Sequence, residues 1–458
     1  MEWDICLDKS SDIPLYRQLS GALAGLMASG KLSPDAKLPP IRQMAQMLNL
    51  NNTTVVSAYK DLERKAAVYS VAGSGTYVSP PVRAQDLAVQ APVAIADEYI
   101  NFAHMATEAA HFPVAAFKRA FNTVMDRDGG MAFGYHDSSG YEPLRERLCH
   151  LLSGVGVVAV PEYVHIISSA EQGICMLADT LLNSGDTVFV ERSSPHGAVA
   201  AFKSARVKII EIPMVKEGPD FNSVEALLRR HKPKLFYVTP NFRQPTGACY
   251  SAESMCRLLT LAHAHDAYII EEDQLSDFYY DGKKRPPLKS LDSGGRVIYI
   301  KSFSRIMTQG FGMDLMVCPH TIPELKMNNS ISPPGYTQRA FDTFLNCGDY
   351  DTHAANMRRI YARRYQRLTA AAHTYLAPLA SFDLPGGGLS LWVTPHCEVR
   401  GYAEKFLQRK VVVTPEQLFG AEMLGFRLSF AAVPEELIAE GVGVIASVLR
   451  ALSTLSRA

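Results

Sequence analysis

Asn51-Asn52-Thr53-Thr54 and, a turn later, Ser57 place short polar side chains at the start of an apolar-periodic stretch. Their amides and hydroxyls donate and accept hydrogen bonds at short reach, which suits base edges and phosphate oxygens. Arg42 comes shortly before this run, where it can reach a phosphate, and Lys60 lies further along it. Such cations position a protein on a duplex without reading its sequence. Other reactive types are less promising. His263 and His265 have no carboxylates at metal-ligand spacing, and Cys249 beside Tyr250 has no adjacent histidine. The eight cysteines are scattered without a Cys-x-x-Cys pair, which predicts reduced thiols in a cytoplasmic protein.

The elements around the polar run follow from apolar spacing. Leu15, Leu19, Leu23 and Leu26 or Met27 recur at helical intervals, and Gly30 stops the run. Pro39-Pro40 opens a shorter helix with Ile41, Met44, Ala45 and Leu48 on one face. After a turn at Asn49–Asn52, a third helix from Thr53 to about Lys65 carries Val55, Val56, Tyr59 and Leu62. Tyr69-Ser70-Val71, a turn at Gly73-Ser74-Gly75 and Thr76-Tyr77-Val78 read as a hairpin wing. In a helix-turn-helix, the start of the second of its helices faces the base edges in the major groove. Arg42, Asn52, Thr53, Thr54, Ser57, Lys60 and Ser74 are therefore the candidate contacts to double-stranded DNA. Lys plus Arg and Asp plus Glu both total 46, so any DNA contact rests on local cations and not on net charge.

Residues 79–98, rich in Ala, Val, Pro and Gln, read as a linker between a head at 10–78 and a large domain at 99–458. Beyond it, apolar segments alternate with helical stretches: Val164–Ile167, Thr187–Val190, Lys208–Ile210, Lys234–Val238, Tyr268–Ile270, Val297–Ile300 and Leu315–Val317. Near-continuous apolar strands between helices predict an α/β domain with a buried, mostly parallel sheet. The residues from Pro385 onward read as a small α+β subdomain. No apolar run reaches ~18 residues, so neither a membrane span nor a membrane partner is expected.

The ordered set Pro14-Leu15-Tyr16-x-Gln18-Leu19, Leu38-Pro39-x-Ile41-Arg42, Asn52-Thr53-Thr54-Val55-x-x-Ala58-Tyr59-x-x-Leu62-Glu63 and Gly73-Ser74-Gly75-Thr76-Tyr77-Val78 resembles the winged helix-turn-helix of the GntR family. One departure is Val71 or Ala72, where that family usually has a basic wing residue. The large domain resembles fold-type I aminotransferases, of the pyridoxal-phosphate-dependent transferase fold. The matches are Phe133-Gly134-Tyr135-His136-Asp137 with Gly140-Tyr141-x-x-Leu144-Arg145, Val190-Glu191, Thr239-Pro240 with Pro245-Thr246-Gly247, Glu271-Glu272-Asp273, Ser302-Phe303-Ser304 and Phe426-Arg427-Leu428-Ser429-Phe430-Ala431. The combination resembles the MocR subgroup of GntR regulators. The resemblance implies a head-to-tail homodimer, a DNA operator and a small-molecule effector.

It also implies where pyridoxal 5'-phosphate would sit, and there the chemistry is altered. Arg305 stands at the place of the Schiff-base lysine, and a guanidinium keeps its proton at physiological pH. The phosphate cup reads Ser169-Ala170-Glu171-Gln172, with a carboxylate where a phosphate dianion would lie. The place of the phosphate arginine falls on Gly312. The partner of the pyridine nitrogen is Glu272 or Asp273 by register, the ring-oxygen tyrosine becomes Gln274, and the stacking tyrosine is replaced near Pro195 or His196. Arg427 is retained; in the resembled enzymes it pairs with the substrate carboxylate, and a structural ion pair is the other reading. The expected pocket is therefore Ala170, Glu171, Gln172, Glu272, Gln274, Ser302, Ser304, Arg305 and Arg427, with no catalytic residue, no metal and no covalent cofactor. The effector would bear a carboxylate. Noncovalent pyridoxal phosphate, an active aminotransferase and a plain dimerisation scaffold are the alternatives.

Overall fold

The computed structural model describes residues 5, 7–8, 14–28, 31–33, 36–64, 67–71, 75–78, 98–134, 137–322, 332–396, 401–419 and 424–455. Ser74 and the expected linker at 79–97 lie outside the described residues. Contacts divide the chain into Met1–Val89 and Gln90–Ala458.

In the first unit, α1 (Leu15–Ala28), α2 (Ile41–Met47) and α3 (Asn52–Arg64) are followed by an antiparallel ribbon of β1 (Val68–Val71) and β2 (Gly75–Val78). Leu19, Leu23, Leu38, Met44, Val55, Ala58, Leu62, Val68 and Val78 form one core, so the helical spacing seen in the sequence closes on itself. α3 begins one residue before Thr53. Asn51 starts it: its Oδ1 accepts the Thr53 amide at 3.1 Å, and its carbonyl accepts the Thr54 amide. Two polar contacts fix α3. The Tyr59 hydroxyl donates to the Pro39 carbonyl at 2.8 Å, and buried Ser20 donates to Asp61 at 2.8 Å.

The second unit opens with β3 (Ile100–Asn101), α4 (Val114–Asp128) and α5 (Glu142–Ser153). There follow β4 (Val164–Ile167), α6 (Ala170–Leu181), β5 (Thr187–Glu191), α7 (His196–Ser204), β6 (Lys208–Ile212), a ribbon of β7 (Met214–Val215) and β8 (Gly218–Pro219), α8 (Phe221–Arg230), β9 (Pro233–Val238), α9 (Ala252–Ala264), β10 (Tyr268–Asp273), β11 (Val297–Ser302) and β12 (Asp314–Val317). The sheet runs β4-β12-β11-β10-β9-β5-β6. β12 is antiparallel to both neighbours and the remaining pairs are parallel. Every residue of β11 is buried, as helices on both faces require.

Helices α10 (Gly335–Asn346) and α11 (Asp349–Ala371) lead to the smaller subdomain. It comprises β13 (Ala380–Phe382), β14 (Ser390–Pro395), α12 (Tyr402–Gln408), β15 (Val411–Val412), β16 (Thr414–Pro415), β17 (Phe426–Ser429) and α13 (Ile438–Leu455). The expected start at Pro385 is corrected: β13 precedes it, and β15 pairs with β3 from the start of the unit. A pairing between segments 311 residues apart, Val411 with Ile100, leaves no local pattern to read.

Gly425 introduces β17. Its φ is +133°, and a Cβ there would lie 2.2 Å from the Val393 carbonyl oxygen. Gly425→Ala should therefore destabilise the unit by about 3 kcal/mol, read as a fall in midpoint in urea unfolding.

Candidate functional site

On the head, α3 buries Val55, Ala58, Tyr59 and Leu62 and exposes Asn52, Thr53, Ser57 and Lys60. Thr54 is half-buried, and Arg42 is exposed on α2. Thr53, Ser57 and Lys60, spaced by four and three, share one helical face.

In the large unit, a cavity of about 230 Å³ lies beyond the carboxyl end of β11, at the N-terminus of α6. Ser168, Ser169, Ala170, Glu171, Gln274, Ser302, Ser304, Arg305, Gln309, Gly312, Met313 and Asp314 line it. A groove of about 290 Å³ at the starts of α8 and α9 is larger, but Asp220 and Ser251 there cap helices and Arg257 pairs with Glu225. The cavity at α6 is therefore the candidate site, and crevices outside strand carboxyl ends are the usual ligand positions in such sheets.

Strand pairing decides which side chains share the cavity face. Glu272 pairs with Ile300, Asp273 with Lys301, and Ser302 with Asp314. Side chains alternate along a strand, so Glu272, Ser302 and Asp314 share one face while Asp273 and Lys301 share the other. Glu272 accepts hydrogen bonds from the Tyr237 hydroxyl and the Gln274 amide. Burial raises its pKa. Lys301 Nζ lies 2.5 Å from Asp277 and 3.3 Å from Asp273, and donates to Ser276 Oγ at 3.0 Å. Although burial opposes its charge, Asp273 and Asp277 hold its ammonium above the ordinary lysine range.

Arg305 follows β11. Its Nη1 donates to the Met105 carbonyl at 2.8 Å, and its buried Nε has no partner. Arg427, on β17, donates from Nη1 to Gln244 Oε1 at 3.2 Å and from Nη2 to the Ala103 carbonyl at 2.9 Å and Thr414 Oγ1 at 3.0 Å. None of these acceptors is charged. Its Nε is buried without a partner, as is Gln244 Nε2. Burial and then the Arg305 charge lower the Arg427 pKa to about 9, which leaves it a cation at neutral pH. Asp314 Oδ1 accepts from Ser302 Oγ at 3.0 Å and the Phe303 amide at 2.9 Å.

The family model of class I and II aminotransferases matches residues 100–445, and that of the gntR family of bacterial regulatory proteins matches residues 15–78. The chain is 28% identical to the probable rhizopine catabolism regulatory protein MocR of Rhizobium meliloti, over 84% of this chain and 83% of that protein. The chain belongs to the MocR/GntR transcriptional regulators, with a class I and II aminotransferase fold as its large domain. The regulator is also 25% identical to the uncharacterized HTH-type transcriptional regulator YisV of Bacillus subtilis, over 97% of this chain and 98% of that one. A kynurenine aminotransferase structure from Pyrococcus horikoshii superposes with a TM-score of 0.72 at 26% identity, over 78% of this chain and 91% of that one. No helix among the described residues is long and apolar enough to cross a membrane.

The aminotransferase fold implies a place for pyridoxal phosphate, and the residues in the cavity fit that group poorly. Glu171 and Asp314 bring carboxylates to the end where a phosphate dianion would lie, and Gly312 brings no charge. Of the expected pocket residues, Ala170, Glu171, Gln274, Ser302, Ser304 and Arg305 line the cavity. Gln172 does not: its Oε1 turns back to Ser168 and its amide donates to Ser169 Oγ. Glu272 lies behind Gln274, and the register excludes Asp273. Arg427 lies off the lining, coupled to it through the charge of Arg305. Sequence reasoning missed Asp314 and Gln244. A lone carboxylate opening an otherwise apolar strand was the available signal for Asp314, and Gln244 offered none.

Proposed function

We propose that the large domain senses a carboxylate-bearing small molecule without covalent catalysis, and that binding alters how the heads hold operator DNA. The observation that carries this reading is that Arg305 lines the cavity while Lys301 lies on the opposite face of the sheet, between Asp273 and Asp277. Covalent chemistry with an aldehyde cofactor needs a deprotonatable amine in the cavity, and a guanidinium does not supply one. Arg427, held by neutral acceptors and the Phe419 ring, supplies an anion site without a resident anion.

Arg42, Asn52, Thr53, Thr54, Ser57, Lys60 and Ser74 are the proposed DNA contacts. Thr53 and Ser57 face bases; Arg42 and Lys60 face phosphates. Each chain carries one recognition helix, so a homodimer would present two to spaced half-sites. DNA as a partner puts the protein in the cytoplasm. The effector acts by binding the DNA-competent and incompetent dimers with unequal affinity.

The test uses full-length protein and a site selected from random-sequence DNA. Lys60→Ala should weaken binding across sequences and lower the salt slope by about one, whereas Thr53→Ala should relax preference at particular bases. Fluorescence anisotropy over a salt series reads both. Unchanged slopes with Lys60→Ala would remove it from the interface.

A further inference from the structure

Three hydroxyls around the cavity have their protons committed to partners within the protein. Ser302 spends its single proton on Asp314 Oδ1. Ser304 Oγ, 2.8 Å from Ser302 Oγ, must then be the donor of that pair. Ser168 donates to Gln172 Oε1 at 2.7 Å, and Ser169 Oγ accepts the Gln172 amide at 3.2 Å. Ser302 and Ser304 thus offer lone pairs to the wall they share with Asp314, while Arg305 is the donor at the other side of the cavity. A phosphate needs donors; an ammonium has three donors and no acceptor.

Charge points the same way. Asp314 is only 5% exposed, and Oδ2 has no hydrogen-bond partner among the described residues. Glu171, at the start of α6, lines the same wall. The carboxylates do not converge as metal ligands: no group of three acidic, histidine or cysteine side chains among the described residues could hold an ion.

Building on the carboxylate-sensor reading, we propose that the former phosphate end of the cavity binds the distal ammonium of a basic amino acid between Asp314, Glu171 and the serine lone pairs. The carboxylate of the same ligand lies toward Arg305 and Arg427. Asp314 tunes the site. Burial raises its pKa to about 7, against the Phe303 amide and Ser302, with Glu272 and Glu171 adding to the rise. Arg305 is the cation facing this group. Below that pH Asp314 is neutral, so affinity for an ammonium should rise between pH 6 and pH 8.

Calorimetry on the full chain with L-lysine against L-norleucine, and L-ornithine against L-norvaline, isolates the distal ammonium. The basic member of each pair should bind at least ~10-fold more tightly, as a charge-assisted contact implies. Asp314→Asn, which keeps Oδ1 as acceptor for Ser302 and Phe303, should cut that preference below about threefold. Glu171→Gln gives a second variant should the first fail to fold. Equal binding within each pair, or a preference that survives both substitutions, overturns the inference and leaves the carboxylate sensor standing. No binding of any of the four acids overturns the inference, whereas the carboxylate sensor falls only if a wider panel of carboxylates also gives no heat.

Discussion

Borohydride reduction of the protein in the presence of pyridoxal 5'-phosphate should leave Lys301 without a pyridoxyl group. Its Nζ is buried between Asp273 and Asp277, on the face of β11 that turns away from Ser302 and the cavity. Reaction with an aldehyde needs the neutral amine. Two carboxylates in a poorly solvated site stabilise the charged form, and removing the proton would leave them buried and unpaired. Mass spectrometry of the peptide carrying Lys301 reads the result directly. Arg305→Lys is the informative comparison, because it places an amine beside the cavity. Glu171 and Asp314 remain in that variant, so pyridoxal should label position 305 more readily than its phosphate ester. Modification of Lys301 in the unaltered protein would end the noncovalent reading.

Arg427→Ala should weaken the binding of L-lysine and L-norleucine alike, by on the order of 100-fold, within the range for losing one partner of a desolvated charged pair. The guanidinium has neutral oxygens on both terminal nitrogens and nothing on Nε. A desolvated cation without a counter-charge is costly in the free protein, and a carboxylate relieves that cost on binding. Arg427→Lys should restore only part of the loss, because an ammonium lacks the planar fork. The substitution also removes contacts to Ala103 and Thr414, so unfolding midpoints must accompany the titrations. A lower midpoint with intact affinity would make Arg427 a brace for β16 and β17 and nothing more.

These two residues show how unevenly the chain discloses itself. The head was readable because its signals are local. Apolar spacing in α1 to α3 set the buried faces, and the polar residues at the start of α3 stayed outside them. The seven apolar segments of the large domain became the seven strands of its sheet because the inner strands of a sheet covered on both faces are mostly apolar, with the charged residues of β10 and β11 gathered at their carboxyl ends. The motif order also placed Arg305 beside the cavity and Glu171 at the start of α6.

What the sequence by itself determined, then, was the elements of the head, the strands of the large sheet, the family and the residue types offered to the cavity. The tertiary structure alone decided which groups meet. Pairing of β10 with β11 put Glu272 and Asp273 on opposite faces, and pairing of β11 with β12 brought Asp314 against Ser302. A shift of one residue in either register would exchange the faces, and nothing local distinguishes the two. The direction of the serine protons depends in turn on Asp314, and the neutral surroundings of Arg427 depend on Gln244 from a loop far away in sequence. Such contacts are set by how separate segments pack, and the sequence carries them only through the fold it produces.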